Sequence, residues 1–585
     1  MNNHVDELQL RKKSAEDWLT NFNQLLAAAD HSGMMSLCAQ TCHWRDIVAF
    51  GWDIQTTQGA SELASKLLEC TTERACTGFF LDEQRTPPRW VTRAGVHACE
   101  IIIKFSHKYG HGDGVLRLID EDNQLKLWTL NTNLQMLEGY QRTQADRRFG
   151  GDAYDREFGG RNWLDARIDA QAYEDREPTV LVVGGGQAGV SIAARLTHMG
   201  LDTLLIDKND RIGDNWRNRY HSLTLHNEVF VNHLPFLRFP ETWPVYIPKD
   251  MLAAWLEQYV DTLEINCWTR SSLEQGRYDE DAQRWDVTLL REGKTRKIKP
   301  KHIVLATGVS AIPVMPDIAG LKDYQGTLIH SGQYDEGKDW KDKPVLVVGT
   351  GNSGHDVAQD LYAAGAKVSI MQRSPTHIVS LREAQRVYAL YQEGPPLEDC
   401  DLLATSFPYP VLRRGYELAT QMSKHEDHDL LERLSKRGFR LSDGVDNCGF
   451  QMSYLQRGGG YYFNVGCSDL IADGDISLLA YQDLESFNPN GLTLKDGTTQ
   501  DFELVVMATG YKNLSGTTRA LLGDEVADRV GQVWGFDEGG ELANMWRPTP
   551  QPGLWYTAGS LAQCRIFSHY LALQIKAKEE GLTSS

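Results

Sequence analysis

Twice in this chain an apolar run enters a glycine turn and leaves it as a helix. VLVVGGGQAGVSIAARL begins at Val180 and VLVVGTGNSGHDVAQDL at Val345. No other feature restricts the fold as strongly. Four apolar residues, G-x-G-x-x-G spacing and an amphipathic helix specify a βαβ unit. The first glycine makes the tight turn, the second lets a pyrophosphate approach the backbone, and the third lets helix lie close on strand. The helix N-terminus then offers unpaired N–H groups and partial positive charge to phosphates. The first turn supplies Gly184, Gly186 and Gly189 with Gln187 and Ala188 between them; the second supplies Gly349, Gly351 and Gly354 with Asn352 and Ser353. The fold class is therefore α/β, with two Rossmann-type dinucleotide-binding domains.

The residue ending the next strand distinguishes the two sites. In the first copy it is Asp207, placed to accept both ribose hydroxyls of an adenosine, as in FAD. In the second it is Arg373, followed by Ser374. An acid there repels a 2′-phosphate, whereas arginine pairs with it bidentately, so this site reads as NADPH. His377 is either a further phosphate contact or a surface histidine. Two strand-end returns, LATG at Leu305–Gly308 and MATGY at Met507–Tyr511, reinforce the pairing. They bring the chain back beside a cofactor, with Thr509 and Gly510 as contact candidates. Two dinucleotides in one chain imply hydride transfer from nicotinamide to flavin.

The 585 residues exceed what one core can hold. Residues 1–140 read as a small α+β domain, mainly helical over 14–70, with strands at Cys99–Phe105, Gly114–Ile119 and Leu125–Leu130. Residues 141–178 are polar and Gly-punctuated, a linker. Residues 179–343 form the first part of the FAD domain and 344–380 the core of the NADP domain. Residues 381–470 form a helical insertion, a candidate substrate lid carrying Phe450, Tyr454, Tyr461 and Tyr462. Residues 471–585 return to both domains.

A net charge of −19 argues against a nucleic-acid partner. No stretch approaches the roughly 18 to 20 apolar residues of a membrane span, and no apolar signal core opens the chain, so a cytoplasmic protein is expected. The ten cysteines include no CxxC pair, which counts against a disulfide reductase on this scaffold. No metal is expected, and His425 and His428 read as part of a surface charge run. There is no Ser-His-Asp set and no paired-carboxylate site.

From about Val180 to Ala577 the sequence resembles the class B flavin-containing monooxygenases, and within them the YUCCA-type branch. The class motif FxGxxxHxxx(Y/F) is matched by Gly326, His330 and Tyr334, with Tyr324 in place of the leading Phe. RIGDNWRNRYHSLTLH is similar to the family segment that runs along the flavin. Gly213 and Trp216 match, Asp214 replaces a glycine, and Asn215, Trp216 and Leu225 are its cofactor-facing candidates. His226 aligns with an Asn that many members place against flavin and NADP+, and Asn227 follows it. Near the C-terminus Gly559 approaches the flavin in the family, followed by Gln563 and Arg565. The resemblance implies that NADPH reduces FAD, which forms a C4a-(hydro)peroxide with O2. One oxygen atom then passes to a small organic substrate by N- or S-oxygenation or by oxidative decarboxylation of a 2-oxo acid. It implies catalytic roles for His226 and Asn227. An NADPH oxidase producing H2O2 and a non-catalytic flavin-binding sensor are the alternatives, and a homodimer is compatible with all three. Residues 14–138 resemble the cone-like fold of nuclear transport factor 2 and polyketide cyclases. His43, Arg45, Asp46 and Asp53 are ligand candidates there, against the plainer reading of a packing domain.

Overall fold

The computed structural model describes residues 2–139 and 158–583, with side chains from residue 9. Two parallel sheets organise the chain after Pro178. The first has the strand order Asn266–Trp268, Thr203–Ile206, Val180–Val183, His302–Leu305, Leu554–Tyr556. Its central strands VLVV, TLLI and HIVL are buried at every position, as strands covered on both faces must be. The second has the order Thr327–His330, Leu504–Met507, Pro344–Val348, Lys367–Gln372, Ser477–Ala480. Each carries one glycine turn at the carboxyl end of a central strand, as the α/β expectation requires. Thr327–His330 pairs in parallel with Leu504–Met507. The second unit therefore begins before Thr327 rather than at residue 344, because the polar stretch ahead of Pro344 hid a four-residue strand.

The N-terminal unit is a seven-stranded sheet, order Ile54–Gln58, Cys38–Ile47, Gln124–Leu137, Gly110–Glu121, Val96–His107, Thr77–Leu81, with Arg89–Arg93 also paired to Val96–His107. The expected helical character of residues 14–70 fails over Cys38–Ile47 and Ile54–Gln58, which are strands. The Cys38 strand lies between two partners, so sheet pairing overrides its weak local pattern. Helices Asn2–Ala27, His31–Leu37 and Ala60–Arg74 complete the unit.

Three of its four candidate ligand residues do other work, while the buried Nδ1 of the fourth, His43, has no partner among the described residues. Asp46 is buried, accepts from the Phe50 and Gly51 amides at 2.9 and 3.1 Å, and takes the Thr132 hydroxyl at 2.6 Å. Arg45 forks onto Glu541 at 2.9 and 2.6 Å, and Asp53 accepts from Arg547 at 2.6 Å to each oxygen. Arg45 and Asp53 thus bind the part of the chain that carries the two parallel sheets, which favours the packing role.

Of the stretch 141–178, residues up to 157 lie outside the described set. The remainder forms helix Trp163–Ala172 and packs down: Tyr173 donates to Asp202 at 2.6 Å, and Trp268 Nε1 donates to the Gln171 carbonyl at 2.6 Å. The 381–470 region contains helices Leu397–Thr405, Tyr409–Glu426, His428–Lys436 and Gly449–Arg457. It returns to the second sheet through a parallel pair of short strands, His377–Ser380 and Tyr461–Asn464. Among the described residues, no helix is long and apolar enough to cross a membrane, and no three-residue His/Cys/Asp/Glu group could hold a metal.

Candidate functional site

Both glycine turns open onto one cleft of about 1600 Å³. Their glycines divide into two kinds. A Cβ on Gly189 would lie 1.8 Å from the Gly184 carbonyl oxygen, and one on Gly354 would lie 2.0 Å from that of Gly349. Gly184 and Gly349 have φ of 110° and 119° and face the Ala306 and Ala508 carbonyls of the two ATG returns. These four are needed by the fold itself. The middle glycines are different. A Cβ on Gly351 would meet nothing nearer than the Tyr461 carbonyl at 3.8 Å, and one on Gly186 would meet only the Asn215 side chain, from 3.0 Å out. Each is the N-cap of a twelve-residue helix and supplies no side-chain cap. Glycine at these two positions leaves open backbone for a ligand, with helix N–H groups behind it. The donor set fits two pyrophosphates.

Around the first turn, Asp207 follows its strand and is almost buried. It accepts from the Gly185 amide at 2.6 Å and the Asn209 amide at 2.8 Å, leaving lone pairs toward the cleft. Gln187 joins three segments: its Nε2 donates to the Gly559 carbonyl at 3.2 Å, and its Oε1 accepts from Trp216 Nε1 at 3.2 Å. Ala188, Asn215, Trp216, Leu225 and Gly559 line the cleft. The buried Thr307 hydroxyl also lines it and has no partner among the described residues.

Around the second turn, Asn352 and Ser353 line the cleft, but the Asn352 side-chain oxygen Oδ1 already accepts from the Phe463 amide at 3.0 Å. Arg373 and Ser374 stand exposed after their strand. The Arg373 guanidinium has no partner among the described residues, while the neighbouring Arg440 donates to the Arg373 carbonyl. Gln372 clamps the Arg440 backbone, donating to its carbonyl at 2.9 Å and accepting from its amide at 2.8 Å. Arg440 carries no motif, so the sequence did not announce it. His377 is neither a phosphate contact nor a surface histidine. It is buried, and its Nδ1 pairs with the Ser442 carbonyl at 3.0 Å.

The Tyr324–Tyr334 motif is tied into the second unit. Tyr324 donates to the Phe502 carbonyl at 2.9 Å and Tyr334 to Asp360 at 2.5 Å. His330 accepts the Gly332 amide at Nδ1 (3.1 Å), so its Nε2 carries the proton donated to the Gly510 carbonyl at 3.1 Å. Burial lowers its pKa, which keeps the ring neutral. Thr509 donates to the Val314 carbonyl at 2.6 Å, so Gly510 is held from both sides of the return.

His226 and Asn227 lie on strand Thr224–Glu228 and face the cleft. His226 sits edge-on to Phe463, with Nε2 4.0 Å from Asp356. Burial lowers its pKa, partly opposed by Asp356, whose own pKa burial raises. Asp356 in turn accepts from Tyr220 at 2.5 Å. The His226 carbonyl takes Gln385 Nε2 at 2.9 Å, and the Asn227 carbonyl takes Asn232 at 2.8 Å. The Tyr388 phenol lines the cleft beside the side chains of Asn227 and Gln451 and closes this wall. Gln385, Tyr388 and Gln451 come from the insertion and have no motif spacing.

Two expected contacts do not line the cleft. Gly189 lies beneath the turn. Gln563 stands behind the wall, its Oε1 accepting the Ser560 amide and the Tyr454 phenol, both at 3.0 Å, because it completes the cap of helix Leu561–Glu579. Of the four lid aromatics, Phe450, Tyr454 and Tyr461 line the cleft. Tyr462 is buried, stacked on His355 at 3.9 Å.

Residues 181–389 match the family model described as pyridine nucleotide-disulphide oxidoreductase. That stretch holds a single cysteine, Cys267, so it has no dithiol. A probable indole-3-pyruvate monooxygenase of Arabidopsis thaliana, YUCCA10, is 30% identical over 341 residues, 58% of this chain and 82% of that protein. The rice (Oryza sativa subsp. japonica) indole-3-pyruvate monooxygenase YUCCA1 is 28% identical over 347 residues, 58% and 79% respectively. Among solved structures, cyclohexanone monooxygenase with ε-caprolactone bound shares the fold at TM-score 0.52 and 17% identity, covering 69% of this chain and 88% of that one.

Proposed function

The chain belongs to the family of YUCCA-type flavin monooxygenases, and from that premise we propose how its own residues serve an FAD- and NADPH-dependent oxygenation. When bound, FAD and NADPH would supply hydride transfer and O2 activation, and this chain's residues would hold, orient and shield them. The observation that carries the reading is the pair of turns facing one cleft, each with a middle glycine the fold does not need.

Gly184, Gly186 and the amides of Gln187 and Ala188 hold the FAD pyrophosphate, with Gly189 allowing the helix its approach. Asp207 accepts the ribose hydroxyls, and Asn215, Trp216, Leu225 and Gly559 flank the ring system. Gly349, Gly351, Asn352, Ser353 and Gly354 hold the NADPH pyrophosphate, while Arg373 and Ser374 take the 2′-phosphate. Thr509 and Gly510, which line the cleft, would flank the bound nucleotide. Neutral His226 and the Asn227 amide offer hydrogen bonds at the reacting face and, with Tyr388, keep water from it.

The substrate we propose is a 2-oxo acid with an apolar tail. Helix Gly449–Arg457 presents Phe450, Gln451 and Tyr454 to the cleft and ends in Arg457, an exposed cation without a partner among the described residues. Aromatic walls suit the tail and Arg457 the carboxylate. The overall change is R–CO–COOH + NADPH + H+ + O2 → R–COOH + CO2 + NADP+ + H2O. The relatives named for indole-3-pyruvate act on a compound of this class. A panel of 2-oxo acids, amines and sulfides, assayed for O2 uptake and CO2 release, tests it. Stoichiometric CO2 from one or more 2-oxo acids is expected; turnover of amines or sulfides alone overturns it.

A further inference from the structure

Helix Leu397–Thr405 lies between the N-terminal sheet and the wall that holds His226 and Asn227, and it is gripped from both sides. On the N-terminal side, Asp399 in its first turn accepts from Arg85 Nε at 2.7 Å, the Thr86 amide at 2.8 Å and the Thr86 hydroxyl at 2.5 Å. At its other end, Arg45 donates to the Thr405 carbonyl at 2.6 Å, a cation at the negative end of the helix. Between these grips, Leu402 and Leu403 pack with Leu390 against Ile102 and Val115 of the N-terminal sheet.

The opposite side of the helix points at the cleft wall. Asp401 accepts from Arg565 Nη2 at 2.6 Å and Nε at 2.8 Å, and from the Tyr391 phenol at 2.8 Å. Arg565 is 5% exposed, and its Nη1 donates to the carbonyls of Val231 at 2.8 Å and His233 at 2.7 Å. Those carbonyls follow directly on strand Thr224–Glu228. Tyr391 belongs to the same short helix, Gln385–Gln392, as Gln385, which donates to the His226 carbonyl, and Tyr388, which lines the cleft with Asn227. The path from Arg85 to the segment 224–233 therefore runs through two charged pairs, Arg85–Asp399 and Asp401–Arg565, and the helix that carries both carboxylates. A buried guanidinium with four acceptor contacts has little freedom to move unless its carboxylate moves with it.

We infer that the N-terminal domain is a positioning element of the oxygenase centre: through Arg85–Asp399 and Asp401–Arg565 it fixes the segment 224–233 that forms the water-excluding wall. This rests on the proposed role of that segment. It assigns the fused domain a part in retaining activated oxygen, without any ligand of its own. Arg85, Asp399, Asp401 and Arg565 are positioning residues, since none touches the reacting atoms.

The test uses full-length, FAD-loaded protein carrying Arg85→Ala, or the more conservative Asp399→Asn, with Asp53→Asn as comparison. Asp53 pairs with Arg547 across the same domain contact but does not engage the helix. Amide hydrogen exchange of residues 224–233 is read beside the fraction of NADPH oxidation that ends as H2O2. In Arg85→Ala and Asp399→Asn both should rise at least about twofold, the lower end of coupling changes along a packed network. Anaerobic flavin reduction by NADPH should stay at the wild-type rate, and Asp53→Asn should change neither readout. Wild-type exchange over 224–233 in both helix-linked variants overturns the inference, as does an equal effect of Asp53→Asn. Faster exchange with no added H2O2, in these variants and in His226→Ala and Asn227→Ala alike, overturns instead the reading of the wall on which it rests.

Discussion

Replacing Gly351 by Ala separates what the fold needs from what a ligand needs. The residue has φ −84° and ψ −172°, extended backbone that alanine adopts without strain. The added methyl would meet only the Tyr461 carbonyl at 3.8 Å, an ordinary contact. Stability of the unliganded enzyme should therefore stay within about 0.5 kcal/mol of wild type, or rise by up to about 1 kcal/mol as the unfolded chain loses freedom. The same methyl stands where the NADPH pyrophosphate must approach. Overpacking a fitted contact costs about 1 to 3 kcal/mol, so the Kd for NADPH should rise about 5- to 140-fold. Gly354→Ala is the counterpart: its methyl would lie 2.0 Å from the Gly349 carbonyl, so it should lower the melting temperature before any ligand is added. Thermal melts of nucleotide-free protein and equilibrium NADPH titration read the two effects separately. Wild-type NADPH affinity in Gly351→Ala would refute the assignment of the second turn to a bound pyrophosphate.

Arg373→Ala should weaken NADPH use by about 1.5 to 3 kcal/mol, the loss of a charged hydrogen-bonded contact, and leave NADH use nearly unchanged in kcat/KM; an equal loss with both nucleotides would show that Arg373 does not read the 2′-phosphate. His226→Ala and Asn227→Ala should spare anaerobic flavin reduction and divert O2 to H2O2, the former more strongly; tight coupling in both would make the segment a plain structural wall. Burial lowers the pKa of His355 to about 4, so its neutral form is favoured in the folded state. The unfolded chain then binds the proton first, and stability is lost as pH falls from about 6.5 toward 4, on the order of 3 kcal/mol from this residue alone. His355→Phe keeps a ring against Tyr462 and removes the titration, so its denaturant midpoint should fall less between pH 7 and pH 5 than that of wild type; identical slopes would contradict the assignment.

The parts of the fold legible in the sequence were those whose local pattern and tertiary role coincide. VLVV followed by G-x-G-x-x-G needs no distant partner to be recognised, and the strand-end choice of Asp207 against Arg373 follows from charge alone. Thr327–His330 was not legible, because its strand partner lies more than 170 residues away, and Cys38–Ile47 was not, because its weak pattern is fixed by pairing with Ile54–Gln58 on one side and with the distant Gln124–Leu137 on the other. The same holds at the site. His226 was reachable by family alignment, but Gln385, Tyr388 and Gln451 enter the wall from an insertion with no motif. Arg440 reaches Arg373 only because Gln372 clamps its backbone. Gln563 shows the converse: its position near Gly559 suggested a cofactor contact, whereas its cap interaction with Ser560 draws it behind the lining.

The central claim is that two dinucleotides share this cleft in order to move one atom of O2 into an organic product. Turnover under 18O2 with NADPH tests it most directly. With a 2-oxo acid substrate, each NADPH oxidised should place one 18O atom in the product and one in water, with little H2O2. NADPH oxidation that ends wholly as labelled H2O2, with no labelled product from any 2-oxo acid, amine or sulfide tried, would contradict it.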